Sequence, residues 1–156
     1  MILRTLCDYL DRERIRYSVI SHSAAFTAQE IAAASHISGR EIAKTVIVRL
    51  DGELAMAILP ASQRIDLEHL AEAAGVGRAE LVPEAGFRER FPGCETGAMP
   101  PFGNLYGLPV YVSDDLTDDE FIAFNAGTHT ELIQLRYRDF ERLTAPRILT
   151  FALDRV

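Results

Sequence analysis

A chain of 156 residues has room for one domain and little more. Hydrophobic residues make up 48% and charged residues 25%, an ordinary globular mixture, which excludes disorder as a description of the whole chain. No run nears the ~20 apolar residues that a membrane-spanning helix needs. The net charge of −7 argues against a general nucleic-acid binder, but leaves open a small basic patch that grips one nucleic-acid end. Asp8 comes too early for a signal peptide, and Cys7 and Cys94 are too few for a disulfide framework, so a reducing cytoplasm is expected. Of 16 basic residues 15 are arginine, and Lys44 is the one lysine. An ordinary surface lysine is the plain alternative for it.

In chain order, Leu3, Leu6, Cys7 and Leu10 share one face of a helix predicted over residues 2–14, where Cys7 is a small core residue. Arg16–Ser21 alternates and reads as a strand. Thr27 and Glu30 form a capping box ahead of an alanine-rich helix that ends near Ser35, followed by a turn at Ser38-Gly39. Lys44–Leu50 and Leu54–Leu59 read as strands joined at Asp51-Gly52, a strong hairpin signal. Asp66 caps a helix that stops at Gly75. Pro83 opens another helix through Phe91. Val110–Val112, Phe121–Asn125 and Glu131–Leu135 are predicted strands, Tyr137–Leu143 a helix, and a short last strand is open after Pro146. Helices and strands mix without strict alternation. The expected fold is therefore a mixed α/β (α+β-like) single domain over residues 1–156, with a central, curved, mostly antiparallel sheet and helices outside it.

Much familiar chemistry is missing from the chain. His22, His36, His69 and His129 are far apart, and no histidine, cysteine or carboxylate set stands at metal-ligand spacing, so neither a metal nor a cofactor is expected. There is no phosphate-binding GxxxxGK[ST] loop and no GxSxG elbow, and Gly75-Val76-Gly77 lacks the third glycine of a dinucleotide fingerprint. Nothing local would lower the pKa of Cys94 and make it a nucleophile.

The most unusual stretch is Cys94–Gly103. Pro100 and Pro101 fix its backbone and remove two N–H groups, which leaves the amides of Gly97, Ala98 and Met99 as donors suited to a carbonyl or developing oxyanion. A rigid turn without chemistry is the alternative reading. Asn125-Ala126-Gly127-Thr128-His129 forms a second glycine-bearing loop at a strand end, with His129 as polar as a site residue or a solvent-facing one.

These landmarks resemble the YbaK/prolyl-tRNA-synthetase-associated editing domains, which are aminoacyl-tRNA deacylases. The resemblance rests on His22 with Phe26-Thr27-Ala28, Ala43-Lys44-Thr45-Val46 entering a strand, Leu59-Pro60, Gly97–Gly103 and Asn125–Gly127, in family order over residues 15–145. It implies hydrolysis of the ester that joins a wrong amino acid to the 3′ end of tRNA. Lys44 then faces the terminal adenosine and its phosphate, with Arg40 a second candidate, and the Gly97, Ala98, Met99 and Pro101 loop holds the aminoacyl group. His22, Phe26, Thr27, Pro100, Phe102, Gly127 and His129 line the substrate, together with Asp114 or, one register away, Asp115. The implied partner is a tRNA acceptor end carrying a mismatched small amino acid, with an aminoacyl-tRNA synthetase as a second partner and no membrane. The amino acid, the tRNA and the oligomeric state stay open. A module that binds a tRNA end, nucleotide or amino acid without turnover is the competing reading.

Overall fold

The computed structural model describes residues 2–25 and 27–154, and Phe26 lies outside them. Among the described residues, four helices, α1 (Ile2–Arg12), α2 (Ala28–Ser35), α3 (Leu67–Ala74) and α4 (Tyr137–Thr144), accompany ten strands. These are β1 (Tyr17–Ser21), β2 (Ile42–Leu50), β3 (Glu53–Pro60), β4 (Gln63–Ile65), β5 (Ala79–Leu81), β6 (Val110–Ser113), β7 (Phe121–Asn125), β8 (Glu131–Arg136), β9 (Arg147–Leu149) and β10 (Ala152–Asp154).

The large sheet has the order β1-β8-β7-β2-β3-β6-β9, with β5 also on β2, and β4 pairs with β10 in a small ribbon. Among the described residues, the pairings β1·β8, β7·β8, β2·β3 and β2·β5 are antiparallel, while β2·β7, β3·β6 and β6·β9 are parallel. The expected mixed α+β fold, with antiparallel pairing in the majority, is the fold observed.

Local chemistry explains the element ends. Thr27 Oγ1 accepts from the Glu30 amide at 3.1 Å while Glu30 Oε1 accepts from the Thr27 amide at 3.3 Å, the reciprocal pair of a capping box. Asp66 Oδ1 accepts from the His69 amide at 3.1 Å, and Gly75 closes α3 at φ +74°. Asp51 and Gly52 turn the β2–β3 hairpin with φ of 49° and 87°, both in the left-handed region that a two-residue hairpin loop requires.

Strand alternation divides the core between the two sheet faces. One face carries Leu6, Leu10, Phe102, Phe124 and Phe140 beneath α1 and α4. On the other, Ala25, Ile31, Ile42, Ala123 and Leu132 pack under α2, and Val48, Leu50, Ala57, Leu59, Leu70 and Phe151 pack under α3.

The structure differs from the sequence reading in several places. The helix predicted from Pro83 is two 3-10 turns, Glu84–Gly86 and Arg88–Arg90, broken at Phe87 with φ −138°. The Gly86 backbone packs so close to Val82 that an added Cβ would come within 2.8 Å of its side chain. β2 begins at Ile42, two residues early, because Ile42 and Ala43 pair with Ala123 and Phe124 of β7. The tail supplies two short strands, β9 and β10, and β4 and β5 join the set unpredicted.

Candidate active site

Three segments distant in sequence meet through backbone hydrogen bonds. In the first, the Ala98 amide donates to Glu95 O at 3.0 Å and closes a turn with Gly97 at its third position. Gly97 has φ +80°, the conformation that favours glycine there. The second segment follows β7. The Glu95 amide donates to Gly127 O at 2.8 Å, and the Gly127 amide donates back to Ala98 O at 2.9 Å. The third leaves β1: the His22 amide donates to Thr130 O at 2.9 Å and the Ala25 amide to His129 O at 3.1 Å.

His129 is the clasp. It is buried, its amide donates to Glu95 Oε1 at 3.1 Å, and its Nε2 lies 2.7 Å from Thr96 O. A carbonyl oxygen only accepts, so Nε2 carries the hydrogen of this contact. The same logic applies to His22, whose Nδ1 donates to Ser23 O at 2.7 Å; in a neutral ring Nε2 is then the acceptor. An alanine Cβ at Gly97 would lie 3.7 Å from His129 Cε1, an ordinary contact, so the glycine is required there by backbone conformation rather than by crowding.

Of the three loop amides expected as donors, Ala98 is a correction, because its N–H closes the turn. Among the described residues no acceptor takes the amide of Gly97 or of Met99. Ala98, Met99, Pro100 and Pro101 are buried, so the loop is anchored by its own packing.

Lys44 enters through the sheet. Alternation from Ile42 to Val46 puts it on the face covered by α2 and α3, opposite Leu59 of β3, at the seam between the two clusters. Continuing the parallel β2–β7 register, Ile42 with Ala123 and Ala43 with Phe124, brings Lys44 level with Asn125, where β7 turns into the Gly127 loop. The half-buried Lys44 Nζ donates to Gln63 O. Gln63 Nε2 in turn donates to Asp154 Oδ1 at 2.9 Å. Asn125 Oδ1, Gln63 Oε1 and His22 Nε2 are buried acceptors with no partner among the described residues. Buried acceptors are normally satisfied, so such atoms at one end of the sheet are suited to a ligand's donors.

Other predicted positions fall elsewhere. Phe102 is fully buried among Tyr9, Phe124 and Phe140, with ring centroids 6.0, 5.4 and 5.6 Å away, on the face opposite Lys44; it is a core residue, not a substrate wall. The Thr27 hydroxyl caps α2. Asp114 is turned toward the β9–β10 connection, where its Oδ2 accepts from Thr150 Oγ1 at 2.9 Å. Asp115 is exposed beside it with its amide on Ser113 Oγ, so neither aspartate joins the His129 clasp. Arg40 is exposed and lies near Asp119. Burial pushes the Cys94 thiol up from its ordinary value, which keeps it protonated at neutral pH and unsuited to nucleophilic attack.

Glu95, Gln63 and Asp154 join the site without being expected from the sequence. Glu95 stood within the loop already singled out, whereas Gln63 and Asp154 carry no local signal, since they meet only through the β4–β10 ribbon.

Residues 22–143 match the family described as the aminoacyl-tRNA editing domain. The chain belongs to that family. This editing domain is 32% identical over 151 residues to the multifunctional Ser/Thr-tRNA deacylase ProXp-y of Escherichia coli (strain K12), covering 91% of this chain and 87% of that one. A solved structure described as a candidate trans-editing enzyme for prolyl tRNA synthetase has a TM-score of 0.82 at 19% identity, covering 97% of this chain and 96% of its own. The hypothetical protein APE2540 has a TM-score of 0.83 at 19% identity, over 95% and 99%. At those identities the two structures speak for the fold alone. The editing domain is an enzyme, a hydrolase of aminoacyl-tRNA esters, as the resemblance implied. Among the described residues no helix is long and apolar enough to cross a membrane.

Proposed function

We propose that the chain acts in trans, in the cytoplasm, to remove serine or threonine from the 3′ end of a mischarged tRNA, with all 156 residues forming the editing unit. The relative named as a Ser/Thr-tRNA deacylase supports the choice of amino acid. The observation that carries the chemistry is the meeting of residues 22–25, 95–98 and 125–130, with the Gly97 and Met99 amides unpaired among the described residues.

An aminoacyl ester is already activated, so the site must position water and stabilise the oxyanion. Water adds to the ester carbonyl carbon, and the Gly97 and Met99 amides donate to the oxygen that becomes anionic. The bond to the ribose oxygen then breaks, that oxygen takes a proton, and the free amino acid leaves. The neighbouring ribose hydroxyl stands close enough to relay the proton. His129 braces the turn through Thr96 O, and Pro100 and Pro101 keep it stiff. Lys44 holds the terminal phosphate as a point charge on a flexible stem. Asn125 Oδ1, Gln63 Oε1 and His22 Nε2 accept from the substrate's ammonium and hydroxyl groups. The synthetase that mischarges this tRNA is the second partner.

The test is hydrolysis of a panel of tRNAs charged with serine, threonine, alanine, cysteine or proline by the purified protein. Seryl- and threonyl-tRNA should be hydrolysed fastest. Tight binding of every charged tRNA without turnover would replace this reading with a binding module.

A further inference from the structure

At the end of β1 and β8 away from His22 and Thr130, a groove of about 660 Å³ is lined by Arg14, Arg16, Arg136, Arg138 and Arg142, with Asp139 and Glu141 as its carboxylates. Five guanidiniums face two carboxylates in a chain whose net charge is −7. All five arginines are exposed. The two acids do little to neutralise them. Arg142 reaches Asp139 only at 3.9 Å, Glu141 Oε1 accepts from Tyr137 Oη at 3.1 Å, and Arg136 lies over the Phe121 ring, 5.9 Å from its centroid. Among the described residues no carboxylate lies within ion-pair distance of Arg14, Arg16, Arg136 or Arg138.

Part of this crowding works against the fold. Continuing the antiparallel register from Tyr17 opposite Leu135 puts Arg16 level with Arg136, and like charges opposed across a strand pair are destabilising. A polyanion would relieve that repulsion, and planar guanidinium forks match phosphate oxygens. The strands also supply a ruler. From His22 back to Arg16 is six residues along β1, about 20 Å at ~3.3 Å per residue. One nucleic-acid strand advances ~3.4 Å per nucleotide, so the groove stands roughly five or six nucleotides from a terminus held near His22.

We propose that this groove holds the sugar-phosphate backbone of the tRNA acceptor arm while the esterified end sits at the Gly97–His129 clasp. The proposal rests on the deacylase reading and adds a second point of contact, far from the chemistry, that makes the enzyme prefer whole tRNA over its end.

The experiment compares kcat/KM for full-length seryl-tRNA with that for a seryl-ended CCA trinucleotide, in wild type and in Arg138→Glu/Arg142→Glu. Arg138→Gln/Arg142→Gln serves if charge reversal impairs folding. The ratio of the two constants should fall tenfold or more in the variant. Raising the salt should weaken tRNA capture less steeply, the slope of log affinity against log salt losing about 0.9 per phosphate contact removed. An unchanged ratio and slope would overturn the proposal. So would a variant that keeps both but no longer binds a synthetase, which would make the groove a protein-docking surface. If wild type hydrolyses neither substrate, the deacylase reading has failed, and the groove is judged by fluorescence anisotropy with uncharged tRNA. Loss of salt-sensitive binding in the variant supports it there, and unchanged binding refutes it.

Discussion

Replacing Gly97 by alanine separates the conformational role of the loop from its chemical one. At φ +80° an alanine carries ~1–2 kcal/mol of backbone strain, although its Cβ would meet His129 Cε1 at an ordinary 3.7 Å. The turn is closed by one hydrogen bond, Ala98 N–H to Glu95 O, and a neutral hydrogen bond is worth ~1 kcal/mol net. Strain and closure are therefore comparable, so the variant relieves itself by opening the turn rather than by unfolding the domain. Opening redirects the Gly97 amide. The loss of one oxyanion donor costs ~10²–10³ in kcat. Single-turnover hydrolysis of seryl-tRNA at saturating enzyme should slow by about that factor, while a thermal melt shifts down by roughly 2–8 °C, the equivalent of the strain in a domain of this size. A variant that melts lower as calculated yet hydrolyses at the wild-type rate would refute the assignment of the Gly97 amide.

On the proposed role of Lys44, Lys44→Ala should reduce kcat/KM ten- to a hundredfold, mostly through KM, the loss expected for a charge-assisted phosphate contact of ~1.5–3 kcal/mol; steady-state kinetics with seryl-tRNA checks it. Cys94→Ala should leave hydrolysis unchanged, since burial keeps that thiol protonated, and loss of activity in this variant would show nucleophilic chemistry. Asp119 has its carboxyl pKa raised first by burial and then by Glu41, with Arg40 opposing. The folded state therefore favours its protonated form, a contribution to stability that is present below the unfolded pKa and lost as pH rises through the folded one. Asp119→Asn should melt higher than wild type near pH 7, and the gap should narrow as the pH falls and the carboxyl protonates, as melts across that range would show.

What could be read from the sequence was what a few neighbouring residues decide among themselves. The Thr27–Glu30 box, the Asp51-Gly52 hairpin and the Asp66–Gly75 limits of α3 are each closed by contacts within one turn or one helix, so their chemistry is written in adjacent letters. β4, β5, β9 and β10 are three residues each, too short to show an alternating pattern, and they exist because a partner strand lies beside them. The candidate site divides the same way. The two prolines mark the Gly97 loop as a stiff array of amides, but the turn decides which amides remain available, and it withdraws Ala98. Phe102 sits in the same run of letters, and only the sheet's facing places it in the core.

Lys44 shows why the non-local part is the decisive one. Its rarity in the composition marks it out, yet a lone lysine on a strand has no function by itself. Its position follows from two pairings. Leu59 across β3 fixes the face it occupies, and the parallel register with β7 sets it level with Asn125, the residue from which the chain turns toward Gly127. Gly127 then exchanges hydrogen bonds with Glu95 and Ala98, so one parallel pairing and one loop clasp carry the geometry from the lysine to the amides. A one-residue slip of β2 against β7 would turn Lys44 to the face of Phe102 and Phe124, among aromatic rings with no anion to meet. The buried Ile42 and Ala43, on opposite faces, hold that register by packing, so the geometry of the candidate site depends on two apolar side chains of the core.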